Sequence, residues 1–205
     1  MMLIEHLSRL LGIPAAYRTF RQLVCPKGLF RTYVNEYITP VAGEKVLDIG
    51  CGPGDILDHL PNVLYTGLDV SSAYIESARK RFGSRGRFLC GDIGKVSIER
   101  EAGTFDAVLA TGVLHHLADA EAISLMEIAR LALRSGGRLI TYDGCYIPCQ
   151  SRMARWLLRS DRGKFVRTVP EYERLASTRF QQVHSQIRQD LLRIPYTHLI
   201  MRCTN

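Results

Sequence analysis

The chain has 205 residues, 46% of them hydrophobic and 23% charged, with a formal net charge of +7. This is the composition of an ordinary globular protein, and its length predicts one domain over 1–205, excluding a cofactor domain joined to a separate catalytic one. No apolar run reaches the ~18 residues that a membrane span needs, and Glu5, His6 and Arg9 stand where a secretory signal would be apolar. Six cysteines without paired short spacings read as reduced thiols, which predicts a cytoplasmic protein.

The positive charge is local. Residues 1–150 hold 16 Lys and Arg against 16 Asp and Glu, whereas residues 151–205 hold 11 against 4. A chain basic throughout would point to general adhesion to nucleic acid; a basic segment points instead to a solvated face or to one anionic ligand.

Leu3, Ile4, Leu7, Leu10 and Leu11 recur at helical spacing, predicting a short amphipathic helix over 2–11 that Gly12 and Pro14 end. Further helices are expected over 15–24 and 29–38, each stopped by a proline, so that 1–40 forms a helical cover. From Lys45 the pattern changes. Lys45–Gly50 is a nearly continuous apolar run entering a glycine loop, as in a strand buried on both faces. A helix is expected over 55–60, a strand over 64–68, a helix over 71–82 and a strand over 87–90. Then come a strand over 105–110, a helix over 118–134, a Gly136-Gly137 turn and a strand over 138–143. Strands alternating with helices predict an α/β fold with a doubly wound parallel sheet, its cofactor-binding core at 45–143. A basic helical segment at 149–179 precedes a terminal antiparallel pair in 180–205, with strands over 181–188 and 196–203.

The strongest chemical signal is Asp48-Ile49-Gly50-Cys51-Gly52-Pro53-Gly54-Asp55. Three glycines in alternate positions let the chain turn sharply and bring backbone close to a ligand. A dinucleotide loop places its third glycine one residue later, where this chain has Asp55. An acid there would repel a pyrophosphate, and Asp48 adds a second, so a cationic ligand fits better. Asp69 lies 19 residues after Gly50, the offset at which an acid after the second strand accepts both hydroxyls of a ribose. It could also cap the helix starting at Ser71-Ser72. Asp92, in Cys90-Gly91-Asp92-Ile93, is placed to bond a purine amino group or to shape a turn.

Together, Asp48-x-Gly50-x-Gly52-x-Gly54, Asp69, Asp92 and Phe105-Asp106-Ala107-Val108 resemble the class I S-adenosylmethionine-dependent methyltransferases, well over about residues 30–145. The resemblance implies a Rossmann-like sheet of seven strands, mostly parallel, with an antiparallel C-terminal strand. It implies S-adenosyl-L-methionine as cofactor, S-adenosyl-L-homocysteine as product, and no metal. It places Gly50, Cys51 and Gly52 beside the methionine part, Asp69 on the ribose, Val70 against the adenine, Asp92 and Ile93 around it, and Thr111 near the sulfonium, with Asp48 also among the cofactor-binding residues. The sulfonium carries its own activation, so positioning does most of the work and a base matters only if the nucleophile must lose a proton.

His115, in Thr111-Gly112-Val113-Leu114-His115-His116-Leu117, is the candidate base; otherwise His115 lines the cofactor pocket and His116 packs in the core. The Asn/Asp-Pro-Pro-Tyr string that accompanies methylation of amide or base nitrogens is missing, which disfavours a nucleic-acid acceptor and favours a small molecule or sugar. Cys145 and Cys149 read as buried thiols rather than zinc ligands, and Tyr142 and Tyr146 as acceptor-pocket residues. Arg152, Arg155 and Arg159 share one helical face, with Met153, Trp156 and Leu157 expected to be buried opposite. With Arg167 they suit an anionic acceptor, gripped by Arg152, Arg155 or Arg167. Two other readings stand beside methyl transfer: an NAD-dependent oxidoreductase, weakened by the glycine spacing, and a non-catalytic cofactor-binding partner subunit. The oligomeric state is not legible.

Overall fold

A computed structural model describes residues 23–26, 28–92, 102–161 and 163–205. The helix expected over 2–11, most of that over 15–24, and Ile93 lie outside the described residues.

Helix α1 (Leu29–Tyr33) runs into a π-helical turn, Val34–Ile38, and Tyr33, Val34 and Ile38 are buried. The predicted helix thus ends where expected, at Thr39, which adopts a left-handed conformation ahead of Pro40. Strand β1 (Lys45–Ile49) follows, then β2 (Leu64–Asp69), α2 (Ser72–Phe82) and β3 (Gly86–Cys90). Between β1 and β2 the helix expected over 55–60 is only a 3-10 turn, Asp55–Asp58. Left-handed Gly54 on one side and Pro61 on the other leave no room for a second turn.

Strand β4 (Phe105–Thr111), helix α3 (Asp119–Ala132) and the long strand β5 (Leu133–Tyr146) come next. The strand expected over 138–143 extends both ways. Leu133 already pairs with Phe105, and a bulge shifts the register before Arg138 pairs with Ala107. Gly136, at φ 73°, supplies the positive dihedral that this bulge requires. Downstream, Asp143 and Gly144 pair with Leu199 and His198. Helix α4 (Arg152–Ser160), the two-residue β6 (Arg167–Thr168), α5 (Val169–Ser177), β7 (Gln182–Arg188) and β8 (His198–Thr204) complete the chain.

The strands lie in the order β3-β2-β1-β4-β5-β8-β7, and β6 pairs with the end of β5, making eight strands rather than the seven expected. Among the described strands β8 alone is reversed relative to the rest of the sheet: it is antiparallel to both β5 and β7. Side chains alternate across the sheet, so Leu47 and Ile49 join a core under α3 and α5, while Val46 joins a second core under α1 and α2. Burial on both faces explains why β1 reads as an unbroken apolar run.

Two polar anchors fix the sheet's amino edge. Buried Arg138 grips Glu44 with both terminal nitrogens and donates to the carbonyls of Ile38 and Thr39, tying the π-turn to β1. Asp106 accepts from the Lys45 N–H at 2.7 Å and pairs with Arg134.

Helix α4 is rotated from its expected orientation. Its buried residues are Ala154 and Leu158, whereas Met153 and Trp156 are each 61% exposed. Gly144 explains this: a Cβ there would come within 2.7 Å of Leu158, so the glycine makes the hollow into which Leu158 fits. Cys145 is buried as expected; Cys149 is exposed.

Candidate active site

The glycine loop leaves β1 at the carboxyl edge of the sheet, where open α/β folds bind ligands. Gly50, Gly52 and Gly54 all have positive φ, at 71°, 54° and 74°. A Cβ on Gly50 would strike Val113 at 2.6 Å, whereas one on Gly52 would meet nothing within 4 Å. Gly50 is therefore required by packing, and Gly52 faces open space that a ligand can enter. A cleft at this point is lined by Asp48, Gly50, Cys51, Gly52, Pro53 and Thr111, with Phe30 from α1, Asp55 and Ile56.

Asp69 holds the loop in place. Its Oδ2 accepts from the Gly52 N–H and its Oδ1 from the Ser71 N–H, both at 2.8 Å. The cap of α2 is Ser71, whose side chain accepts from the Tyr74 N–H, so Asp69 joins two loops rather than capping the helix. The Gly91 N–H donates to the Asp69 carbonyl, which brings the Asp92 turn alongside. Val70, 75% exposed, and exposed Asp92 thus flank Asp69 at the ends of β2 and β3.

Asp48 is the unusual group. It is 3% exposed, and its Oδ2 accepts from the Tyr65 hydroxyl at 2.6 Å while its Oδ1 is buried with no hydrogen-bond partner. Burial, reinforced by the Asp69 charge and opposed by the Tyr65 bond, pushes its pKa up to about 7. A buried carboxyl of this kind ionises readily once a cation arrives. Asp55 contributes less negative charge to the cleft than its place in the sequence suggests, because Arg81 pairs with it and with Asp58. Burial pushes the Cys51 thiol well up, making it a packing group.

His115 is 7% exposed and does not line this cleft; His116 is the exposed member of the pair, the reverse of the packing expected. The His115 Nδ1 lies 2.7 Å from Asp143 Oδ1, which also accepts from the His115 N–H, and its Nε2 lies 3.9 Å from Asp161. Asp161 in turn accepts from the Tyr196 hydroxyl at 2.6 Å. A Cβ on Gly163 would come within 2.0 Å of the His115 ring, and the Phe165 N–H donates to the His115 carbonyl. The imidazole therefore sits between two carboxylates beneath the 161–165 loop. Beside it, burial pushes His198 down to about 3, which keeps it neutral.

The arginines divide. Arg167 is 6% exposed, and its five N–H groups are all engaged: to Asp119 twice and to the carbonyls of Leu114, Phe165 and Leu117. No donor remains for an anionic acceptor, which corrects its expected role. Arg155 lies 5.6 Å over the Tyr146 ring and donates to the Ile147 carbonyl. Arg152 is exposed. Sequence reasoning missed Phe30, Ile56, Asp143, Asp161 and Tyr196. Only Asp143, an acid at the carboxyl end of an apolar strand, carries a signal that pattern reading could use.

A family described as a methyltransferase domain matches residues 46–137, from β1 into the β5 bulge. Over this segment, just under half of the chain, the sequence resembles that family. The malonyl-[acyl-carrier protein] O-methyltransferase of Paenibacillus sp. is 33% identical over 104 residues, covering 47% of this chain and 37% of that protein. The chain spans between 15% and 37% of the length of the first four curated relatives it matches. Two solved structures show the same fold as the domain and its flanks. One is a protein of Pyrococcus horikoshii (TM-score 0.65, 21% identity, 93% of this chain and 92% of that one). The other is a phosphoethanolamine N-methyltransferase of Haemonchus contortus in complex with S-adenosyl-L-methionine (TM-score 0.65, 18% identity, 78% and 38%). Among the described residues no helix is long and apolar enough to cross a membrane, and no cluster of potential metal ligands occurs.

Proposed function

We propose that the domain transfers a methyl group to a small-molecule acceptor, at oxygen in preference to nitrogen, from S-adenosylmethionine held in the Asp48–Thr111 cleft. The observation that carries this is the pairing of Asp69 with the Gly52 N–H beside the unpartnered, buried Oδ1 of Asp48. When bound, S-adenosylmethionine supplies a methyl group already activated by its positively charged sulfur.

The residues divide the work by chemistry. Each Asp69 oxygen accepts one backbone N–H and keeps lone pairs for the two ribose hydroxyls. Asp48, ionised against the ligand's positive charge, and the Gly50–Gly52 backbone hold the methionine part. Val70 offers an apolar surface to the adenine, with Asp92 at its edge. Thr111 lies at the inner end of the cleft, where the Tyr33 hydroxyl, 3.3 Å from its Oγ1, fixes its rotamer. Tyr146 and the α4 cover stand at the end of β5, on the acceptor side. Held in line and shielded from water, donor and acceptor gain up to ~7–11 kcal/mol from orientation alone. His115 acts as a brace for the 161–165 loop, because both of its nitrogens face carboxylates. The likeness to O-methyltransferases supports oxygen as the methylated atom.

Calorimetric titration with S-adenosylhomocysteine and with NAD tests the reading. Binding of S-adenosylhomocysteine and none of NAD is expected, followed by methyl transfer in a screen with labelled S-adenosylmethionine. Tight NAD binding would overturn it.

A further inference from the structure

Helix α4 presents to the outside a face unlike the rest of the surface. Arg152, Trp156 and Arg159 stand at i, i+4 and i+7, so they form one row along its exposed side. Met153 and Trp156 are each 61% exposed, and the helix contains no acidic residue. The loop leaving it adds exposed Lys164 and Phe165, the latter 40% exposed. Among the described residues neither Arg152 nor Arg159 has an ion-pair or hydrogen-bond partner.

A core helix buries its apolar side; here Ala154 and Leu158 do that, and a tryptophan and a methionine remain on the outer side between guanidiniums. Water is a poor partner for that combination. It matches the boundary of an anionic bilayer, where an indole sits at headgroup depth and arginine heads reach the lipid phosphates while their stems lie against apolar matter. An acidic protein surface would answer the charges but would leave Trp156 and Met153 without an apolar site.

We infer that the outer face of α4 docks on the surface of an anionic lipid membrane, presenting the cleft to an amphiphilic acceptor in that membrane. The placement supports this: α4 follows the carboxyl end of β5, and Arg155 packs on Tyr146 at the acceptor side. The nature of the acceptor rests on the methyl-transfer reading; the docking does not.

Trp156 is the only tryptophan in the chain, so its fluorescence reports on this face alone. The full chain is mixed with vesicles of pure phosphatidylcholine, or of phosphatidylcholine with phosphatidylglycerol, and followed by emission and by co-sedimentation. A blue shift and sedimentation are expected with the anionic vesicles only, weakening as salt rises. Each surface charge contributes about fivefold in partitioning, so the Arg152→Gln/Arg159→Gln variant should bind about thirtyfold more weakly. Its melting temperature should match wild type, since both side chains are exposed. Unshifted emission with the protein left in the supernatant overturns the inference, as does equal vesicle binding by the variant. A response to polyglutamate but not to vesicles assigns the face to an acidic protein and also overturns it. Titration with S-adenosylhomocysteine without vesicles tests the cofactor reading separately, so either can fail alone.

Discussion

Replacing Asp69 with alanine perturbs one function that the structure places on its carboxylate and a second that we propose for it. The first is architectural: both oxygens accept backbone N–H groups at 2.8 Å, from Gly52 and from Ser71. Hydrogen bonds to a charged group contribute about 1.5–3 kcal/mol each, and the half-buried setting of Asp69 argues for the lower end, or about 3 kcal/mol for the pair. For a chain of this size each kcal/mol corresponds to about 2–4 °C, so Asp69→Ala should melt about 6–12 °C below wild type. The second function is ribose binding. Losing even 1.4 kcal/mol of bonding to the two hydroxyls costs tenfold in affinity, and calorimetry should find S-adenosylhomocysteine bound about 10–100 times more weakly. Asp69→Asn keeps an acceptor for the Ser71 N–H, so it should recover part of the melting temperature while binding the ligand poorly. If the melting temperature falls as expected but affinity stays within about twofold of wild type, the carboxylate is only a clip between loops and the ribose assignment is refuted.

Asp48→Asn should stabilise the protein and weaken cofactor binding together. Its folded pKa of about 7 lies above the ~3.9 of an unfolded aspartate, so the folded state holds the proton more tightly. The stability this brings is complete below about pH 4 and is lost as the pH rises through 7, by on the order of 4 kcal/mol at most. Chemical denaturation across pH should show the variant gaining on wild type above pH 7, with a flatter profile. His115→Ala should lower the melting temperature while turnover at saturating acceptor persists; a fall of ~10²–10⁴ in turnover at unchanged cofactor affinity would identify a general base instead. Arg167→Gln leaves three carbonyls short of a donor, at about 1–3 kcal/mol each, and should lower the melting temperature by well over 5 °C. Arg152→Gln should leave it within about 0.5 kcal/mol of wild-type stability in the same scan.

The part of the molecule around the glycine loop was legible because its signals are local. The run into Gly50 marks a strand buried on both faces, and the spacing from Gly50 to Asp69 follows from one short crossover between adjacent parallel strands. The part that follows β5 was not, because its arrangement depends on long-range packing. The three-and-four spacing of Arg152, Arg155 and Arg159 defines a helical face but not which way that face turns; Gly144, eight residues earlier on another element, decided it. The role of Arg167 was misread for the same reason, since its partners at Leu114, Leu117 and Asp119 lie about fifty residues away in sequence. The short turn at Asp55–Asp58 and the bulge at Gly136 show local chemistry shortening one element, and tertiary register lengthening another, that periodicity alone had drawn too regularly.

The Arg167 joint has an evolutionary consequence. It fastens the cover to the core through three main-chain carbonyls and one acid, and a carbonyl oxygen is the same whatever side chain its residue carries. Drift at Leu114, Leu117 or Phe165 therefore leaves the fastening intact. The outer row of α4 can diversify without disturbing the glycine-loop cleft, as an exchangeable tool is changed on a fixed handle.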